Sequence, residues 1–295
     1  IDGGAGADTI TGGTGDDDIE GGSGSDTVVF AGNKGDFTFA VASDGTLTVT
    51  DVGTGNTLGV DTVSGVETLS FADGDLTVTT LAGGAVTLTG SGVGDDITLI
   101  GAVGATLEGD AGVDTLTGGS GGDVIDGGLG DDTIDGGEGD DLLFGADGAD
   151  VIDGGAGADT YLVSTGNDVI FAGEGLDTLS IDSDFEIEDV ILQGNGDLVF
   201  TFTIDDSGDP LNGEYTIDEL TAVHSVTIVN HVAAPMHRIS FDDDGAARTI
   251  LIASNLQAAN AEDTGYAGTI GDDVIIAGDG DDIITGNAGD DTIDG

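Results

Sequence analysis

Gly118-Gly119-Ser120-Gly121-Gly122-Asp123-Val124-Ile125-Asp126 runs directly into Gly127-Gly128-Leu129-Gly130-Asp131-Asp132-Thr133-Ile134-Asp135, and the second nonapeptide keeps the phase of the first. Gly stands fourth, Asp sixth and Ile eighth in both. Outward from this pair, the form G-G-x-G-x-D-x-U-x, with U large and apolar, recurs fourteen times in three blocks. The fourth position is Gly in every copy. The sixth is Asp8, Asp17 and Asp26; Asp114, Asp123, Asp132, Asp141, Asp150, Asp159, Asp168 and Asp177; Asp273, Asp282 and Asp291. The eighth is apolar throughout, from Ile10, Ile19 and Val28 through Ile125, Tyr161 and Leu179 to Ile293. Three positions held in phase this long do not arise from composition, and a fixed short period marks a solenoid.

Each nonapeptide divides into a turn and a short strand. The first six residues offer glycines that permit positive φ and close backbone approach. The last three alternate outward, inward, outward, so that Ile125 points into the stack. The seventh position is mostly β-branched (Thr9, Thr115, Val124, Thr133, Val151, Thr160), which favours strand. Two nonapeptides, 18 residues, then make one coil with a strand on each side.

The chain carries 59 acidic residues against Lys34, Arg238 and Arg248, a formal charge of −56. Nucleic acid and anionic membrane surfaces are excluded as partners, since both need Lys and Arg to meet phosphate. So much glycine and charge points to disorder for the metal-free chain, but disorder leaves the phased apolar position unexplained. Bare carboxylates repel one another in a compact state, so a cation must enter on folding. No cysteine is present, and no apolar run approaches the roughly 18 residues of a membrane span. Ile1-Asp2 reads as the tail of a preceding repeat and Gly295 as the start of another, which suggests a segment of a larger repeat protein.

The 18-residue coil sorts the central Asp residues into two rows, Asp114, Asp132, Asp150, Asp168 and Asp123, Asp141, Asp159, Asp177. Row neighbours stand one strand spacing apart, about 4.8 Å. Hard carboxylate and carbonyl oxygens suit Ca²⁺, which takes six to eight of them flexibly; Mg²⁺ demands a tighter octahedron and Zn²⁺ prefers His or Cys. Asp residues 18 apart pair into about eight calcium sites: Asp8 with Asp26, three in each central row, and Asp273 with Asp291. With a Kd of roughly 10⁻⁴ M and about 1 mM calcium, each site contributes about 1.4 kcal/mol, and eight about 11 kcal/mol. That equals the stability of an ordinary domain, so calcium decides whether the repeats fold.

These nonapeptides resemble the RTX (haemolysin-type) calcium-binding repeats of secreted bacterial toxins, proteases, lipases, epimerases, adhesins and surface-layer proteins. The likeness covers residues 3–29, 109–180 and 268–294, and more weakly 91–108. It implies an all-β calcium-binding parallel β-roll (β-solenoid), interrupted here by β-rich insertions, in which the Asp residues named above and turn carbonyls of successive coils share calcium. It also implies type I secretion and an extracellular or cell-surface location. Asp96 fits the pattern poorly because Thr98 would then point inward. Ala105 replaces the next Asp, so no site is expected there.

The domain plan is therefore repeats at 1–29, a β-rich insertion at 30–90, repeats at 91–180 (91–108 degenerate), a non-repeat β region at 181–267, and repeats at 268–295. In the first insertion, 37–41 and 46–50 alternate around Ser43-Asp44-Gly45 and read as a hairpin. Val63 to Phe71, followed by Ala72-Asp73-Gly74, resembles inserts that follow such repeats; an extension of the solenoid is favoured over a separate catalytic domain. In the second, 197–204, 225–229 and 238–241 read as strands, and Asn255–Asp263 as the single helix. His224, His231 and His237 match no metal spacing, and Ser225 lies in no nucleophile elbow. Asp242-Asp243-Asp244-Gly245 reads as a solvated turn rather than an extra cation site.

No enzyme activity is expected. The first functional reading is a calcium-stiffened section of a large secreted or cell-surface structural or adhesive protein, of adhesin or surface-layer type. The alternative is a non-catalytic module of a secreted RTX enzyme or toxin whose active domain lies outside this sequence. Ice binding needs a regular outward row, and the third position instead reads Ala5, Thr14, Ser23, Ala111, Ser120, Leu129, Glu138. Outward carboxylates at the fifth and ninth positions leave self-association and other cell-surface components open as partners.

Overall fold

The computed structural model describes residues 1–55, 57–81, 84–175 and 177–180 in full, and beyond them the backbone of strands as far as residue 294. Two compact units divide the chain, Ile1–Ile152 and Asp153–Gly295. Both are built of strands; among the described residues the one helical turn is the 3-10 segment Lys34–Asp36. No helix among them is long and apolar enough to cross a membrane.

In the first unit, strands from alternate nonapeptides stack in parallel. Thr115–Thr117 pairs with Thr133–Asp135 on one side, and Thr106–Glu108, Val124–Leu129 and Leu142–Gly148 pair in series on the other. The register sets Leu116 beside Ile134, and Leu107 beside Ile125 beside Leu143. Strand periodicity sends these eighth-position side chains inward, where they are buried, while Thr115, Val124 and Thr133 face out. This is the parallel β-solenoid that the phased apolar position predicts.

The turns show why glycine is needed. Gly128 and Gly130 hold φ of +98° and +134°, conformations that a side chain disfavours. A Cβ on Gly130 would also overlap the carbonyl of Gly112 in the coil before it. Asp110 and Ala146 occupy the second repeat position at φ 73° and 68°, and bear that strain without glycine.

The insertion at 30–90 continues one sheet into the central block; the other ends at Phe37–Val41, which meets that block in the isolated bridge Phe39–Leu99. Phe37–Val41 and Leu47–Asp51 form the antiparallel hairpin, which pairs with Val60–Ser64, itself parallel to Asp18–Ser23 of the first repeats. On the other side Thr68–Phe71 runs parallel to Thr27–Val29, then antiparallel strands Gly74–Thr80 and Val86–Thr89 lead to Thr106–Glu108. Its core is aromatic. Phe30, Phe37 and Phe39 gather around Phe71 with ring centroids 5.4, 5.2 and 6.0 Å away.

The second unit repeats the arrangement. Thr160–Leu162 pairs in parallel with Thr178–Ile181, which continues to Arg238–Asp243, the antiparallel Ala246–Ile252, and then Val274–Ile276 and Thr292–Asp294. Thr165–Phe171 lies parallel to His224–Ile228, which leads through antiparallel Leu198–Ile204 to Phe185–Leu192. The three strands read from the sequence are present; Phe185–Leu192 and Ala246–Ile252 add to them. The helix expected at Asn255–Asp263, His231 and His237, the Asp244-Gly245 turn, and Asp273, Asp282 and Asp291 lie outside the described residues.

One register differs from the sequence reading. Asp95, not Asp96, stands at the sixth position, and Ile97, not Thr98, points inward, fully buried against Leu116. Nineteen residues rather than 18 separate Asp95 from Asp114, and the extra residue shifts the phase. Burial of an isoleucine in place of a threonine decides the frame.

Candidate metal centre

The sixth-position Asp follows a turn that folds back beneath it and precedes the strand that anchors it. Its side chain therefore lies along the seam between successive coils. Asp26, Asp114, Asp123, Asp132, Asp141, Asp150, Asp159, Asp168 and Asp177 are all buried, and Asp8 and Asp17 are half-buried. One oxygen has a regular duty. Asp114 donates its backbone N–H to Oδ1 of Asp132 (2.8 Å), Asp123 to Asp141 (2.7 Å), Asp132 to Asp150 (2.9 Å), Asp8 to Asp26 (2.9 Å) and Asp159 to Asp177 (3.0 Å). The 18-residue pairing expected from the repeat length is thus drawn as a ladder of hydrogen bonds.

The other oxygen divides the rows. On Asp8, Asp17, Asp26, Asp114, Asp132 and Asp177, Oδ2 is buried and has no hydrogen-bond partner, a costly condition for a carboxylate. The two carboxylates that start the central rows differ. Ser91 donates its N–H to Asp95 Oδ2 (2.6 Å), and Gly119 donates to Asp123 Oδ2 (2.8 Å). Ala105 occupies the position before Asp123 and offers only its N–H, to Asp123 Oδ1 at 2.8 Å. In the second unit Ser164 Oγ donates to Asp168 Oδ2 at 3.2 Å.

The orphaned oxygens of Asp8, Asp17, Asp26, Asp114 and Asp132 each lie close to the first glycine of their own repeat, whereas Asp177 has Ala172 at that position. The point where a Cβ would stand on Gly127 is 2.6 Å from Asp132 Oδ2 and 2.8 Å from the Gly145 carbonyl oxygen. Gly109 and Gly21 stand likewise against Asp114 and Asp26, each with a carbonyl of the following coil. Among the described residues no three acidic or imidazole side chains converge, so an ion here would take most of its shell from turn carbonyls. A single carboxylate oxygen with several carbonyls is a donor set that suits calcium and fits neither zinc nor a magnesium cage.

Burial also moves the proton affinities. Asp114 is pushed up to about 6, chiefly by burial and further by the neighbouring carboxylates of Asp132, Asp95 and Asp110. Asp141 rises to about 6 by burial and by Asp123, Asp140 and Asp135, and Asp177 to about 6 by burial. Asp123 and Asp132 shift the same way for the same reason. All five would ionise more readily with a cation beside them.

Three acidic residues outside the nonapeptide pattern take the same place. Asp17 donates its N–H to Asp61 Oδ1 (2.9 Å), Asp26 to Glu67 Oε2 (2.7 Å), and Asp95 to Asp114 Oδ1 (2.6 Å). Asp61 and Glu67 stand 44 and 41 residues after their partners, so an 18-residue search passes over them. The available signal was Gly65, whose carbonyl lies against Gly21 as that of Gly21 lies against Gly3. Of the remaining candidates, His224 lies in the strand His224–Ile228, and Asp242 and Asp243 end the strand Arg238–Asp243.

Comparison with known proteins agrees with this geometry. The family described as RTX calcium-binding nonapeptide repeat (4 copies) matches residues 1–28, 101–134, 108–143, 126–161, 162–183 and 267–295. No curated protein matches. Among solved structures, the extracellular lipase LipA from Serratia marcescens is similar at 21% identity and a TM-score of 0.26, over 76% of this chain and 36% of the lipase. The chain thus spans about a third of that lipase's length. In three blocks, then, the chain carries RTX calcium-binding nonapeptide repeats.

Proposed function

We propose that the chain is a calcium-stiffened section of a large secreted or cell-surface structural or adhesive protein, of the adhesin or surface-layer kind. Calcium binding follows from its repeats. The ligands would be the sixth-position Asp residues, including Asp273, Asp282 and Asp291 of the last block, together with Asp61 and Glu67. The carrying observation is the buried, unpartnered Oδ2 of Asp114 and Asp132 in the interior of their row. Bound calcium would supply the positive charge that these oxygens lack.

The residues then have distinct duties. Oδ1 of Asp26, Asp114, Asp123, Asp132, Asp141, Asp150 and Asp177 holds an N–H of the coil before it, which fixes the carboxylate's orientation before any ion arrives. The position-one glycines leave room beneath Oδ2, and eighth-position side chains such as Ile125 and Leu143 keep water from the seam's inner side. Without a cation the row is a line of buried like charges, so the repeats would gain order only at extracellular calcium. Support for a scaffold comes from the sheet that passes through the 30–90 insertion without a break, from Thr27–Val29 through Thr68–Phe71, Gly74–Thr80 and Val86–Thr89 to Thr106–Glu108.

Calorimetric calcium titration of the whole chain tests this reading. Several ions bound in the micromolar-to-millimolar range, fewer in Asp132→Asn and an unchanged number in Phe171→Ala, is the expected result. Binding that is absent, or unaltered in Asp132→Asn, would contradict it.

A further inference from the structure

Lys34 is one of three basic residues in the chain, and it is completely buried. Its Nζ lies 2.8 Å from Asp95 Oδ1 and 3.5 Å from Asp73 Oδ1. Its backbone N–H reaches the two Asp73 oxygens at 3.0 and 3.1 Å. A buried ammonium is retained only where charge and hydrogen bonds compensate it. Here the compensating partner is the leading carboxylate of the row Asp95, Asp114, Asp132.

The position of that partner gives the contact its meaning. Inside the row each Oδ1 is held by the N–H of the Asp one coil earlier. No nonapeptide stands one coil before Asp95, and the Lys34 ammonium lies against its Oδ1 as a counter-charge. Ser91 donates to both oxygens of Asp95, from its N–H to Oδ2 at 2.6 Å and from Oγ to Oδ1 at 3.4 Å. Lys34 meets Oδ1 as an ion pair without hydrogen-bond geometry, so the chain itself supplies the charge and the donors that this carboxylate needs. Asp95 in turn offers its own N–H to Asp114 Oδ1 at 2.6 Å. The first carboxylate after it with an unpartnered oxygen is Asp114.

We propose that Lys34 is an internal counter-cation that replaces a metal at the head of this row. It locks the 30–90 insertion to the first coil of the central block without calcium, and so presents a fixed Asp95 N–H on which the Asp114 turn is positioned. The calcium-dependent coils then order outward from a template that does not need the ion. The insertion is thereby a folding start, and Lys34 is its positioning residue. The contrast between template and coils rests on the calcium-dependent folding proposed above; the role of the ion pair does not.

Hydrogen exchange of the whole chain at neutral pH, in chelator and in millimolar calcium, tests the proposal in three proteins. The wild type in chelator is expected to keep protection in 34–41, 68–80 and 86–99 while 124–148 exchanges freely. Lys34→Met leaves the Asp95 charge buried alone, so those three segments should exchange roughly a hundredfold faster, and more calcium should be needed to protect 109–135. Lys34→Met/Asp95→Asn removes both charges and should regain most of the lost protection. Lys34→Met behaving as wild type, or a double variant no better than the single one, would overturn the proposal. If Lys34→Met fails to fold even in calcium, the double variant decides alone. A wild type protected everywhere in chelator would refute calcium-dependent folding, while the single and double variants still report on Lys34.

Discussion

A coil of the central repeats and the insertion at 30–90 share one continuous sheet but hold their strands together by different means. The repeat coil buries one large side chain in nine residues, such as Ile125 or Leu143, beside carboxylates with buried unpartnered oxygens. The insertion buries alternate residues along whole strands, Phe37, Phe39 and Val41 against Leu47 and Val49, and pairs its one buried cation with Asp95. The first arrangement is incomplete without an ion; the second closes on itself. On the proposed reading, stability in one molecule is divided between metal coordination and apolar packing, and the boundary runs through Lys34.

The sharpest way to break this comparison is to damage the insertion's core. Phe39→Ala removes a ring packed edge-on to Phe71 and should cost about 3–5 kcal/mol. The loss should be the same in calcium and in chelator, as read by urea unfolding of the 30–90 signals. A loss that calcium abolishes would mean that the insertion, too, depends on the ion.

Asp132→Asn makes the complementary change in the repeats. The amide oxygen can still accept from the Asp114 N–H, but the charge facing the Gly127 turn is gone. In calcium the variant should lose about 1–2 kcal/mol, in line with a single weak extracellular-type site. In chelator it should be neutral or slightly more stable, since a buried uncompensated charge has been removed. Thermal melts with and without the ion will show whether the effect changes sign.

The contrast was legible in the sequence to unequal degrees. The phase of Gly, Asp and apolar residue carries the solenoid, the strand triplets and the Asp ladder, because each nonapeptide meets the same neighbours as the next. The hairpin at 37–51 is readable from its alternation around Ser43-Asp44-Gly45. Asp61 and Glu67 escape notice because the chain leaves the coil for some forty residues and then rejoins the same register. Sequence distance does not record that return. Asp95 was misread as Asp96 because a single extra residue moves the frame, and only burial of Ile97 reveals it. Lys34 carries no sequence signal at all; its role comes from the partner that the fold brings to it.

Acidity offers a smaller and reversible test. Asp114, Asp141 and Asp177 bind a proton more tightly in the fold than their ordinary 3.8, with values near 6. In chelator their contribution is fully present below about 3.8 and is lost as pH rises through about 6. In calcium the direction reverses, because protons compete for the same oxygens and stability should fall as pH drops through that window. Melting curves between pH 4 and 7 that slope alike in both conditions would contradict this.

The smallest expected effect concerns the turns. Ala146 holds φ 68° at a position where Gly128 holds +98°. Ala146→Gly relieves that strain against a more flexible unfolded chain, for a net gain below about 1 kcal/mol, and should not alter calcium affinity. A destabilised variant would show that the Ala146 methyl contributes contacts that outweigh its backbone.

The most direct test of the central claim is far-UV circular dichroism of the whole chain during a calcium titration from chelator, with magnesium as control. A cooperative gain of β signal between micromolar and millimolar calcium, on top of a residual β signal from the insertion and absent with magnesium, is the predicted result. A full β spectrum in chelator, unchanged by calcium, would show that the apolar stack folds unaided and would contradict the account.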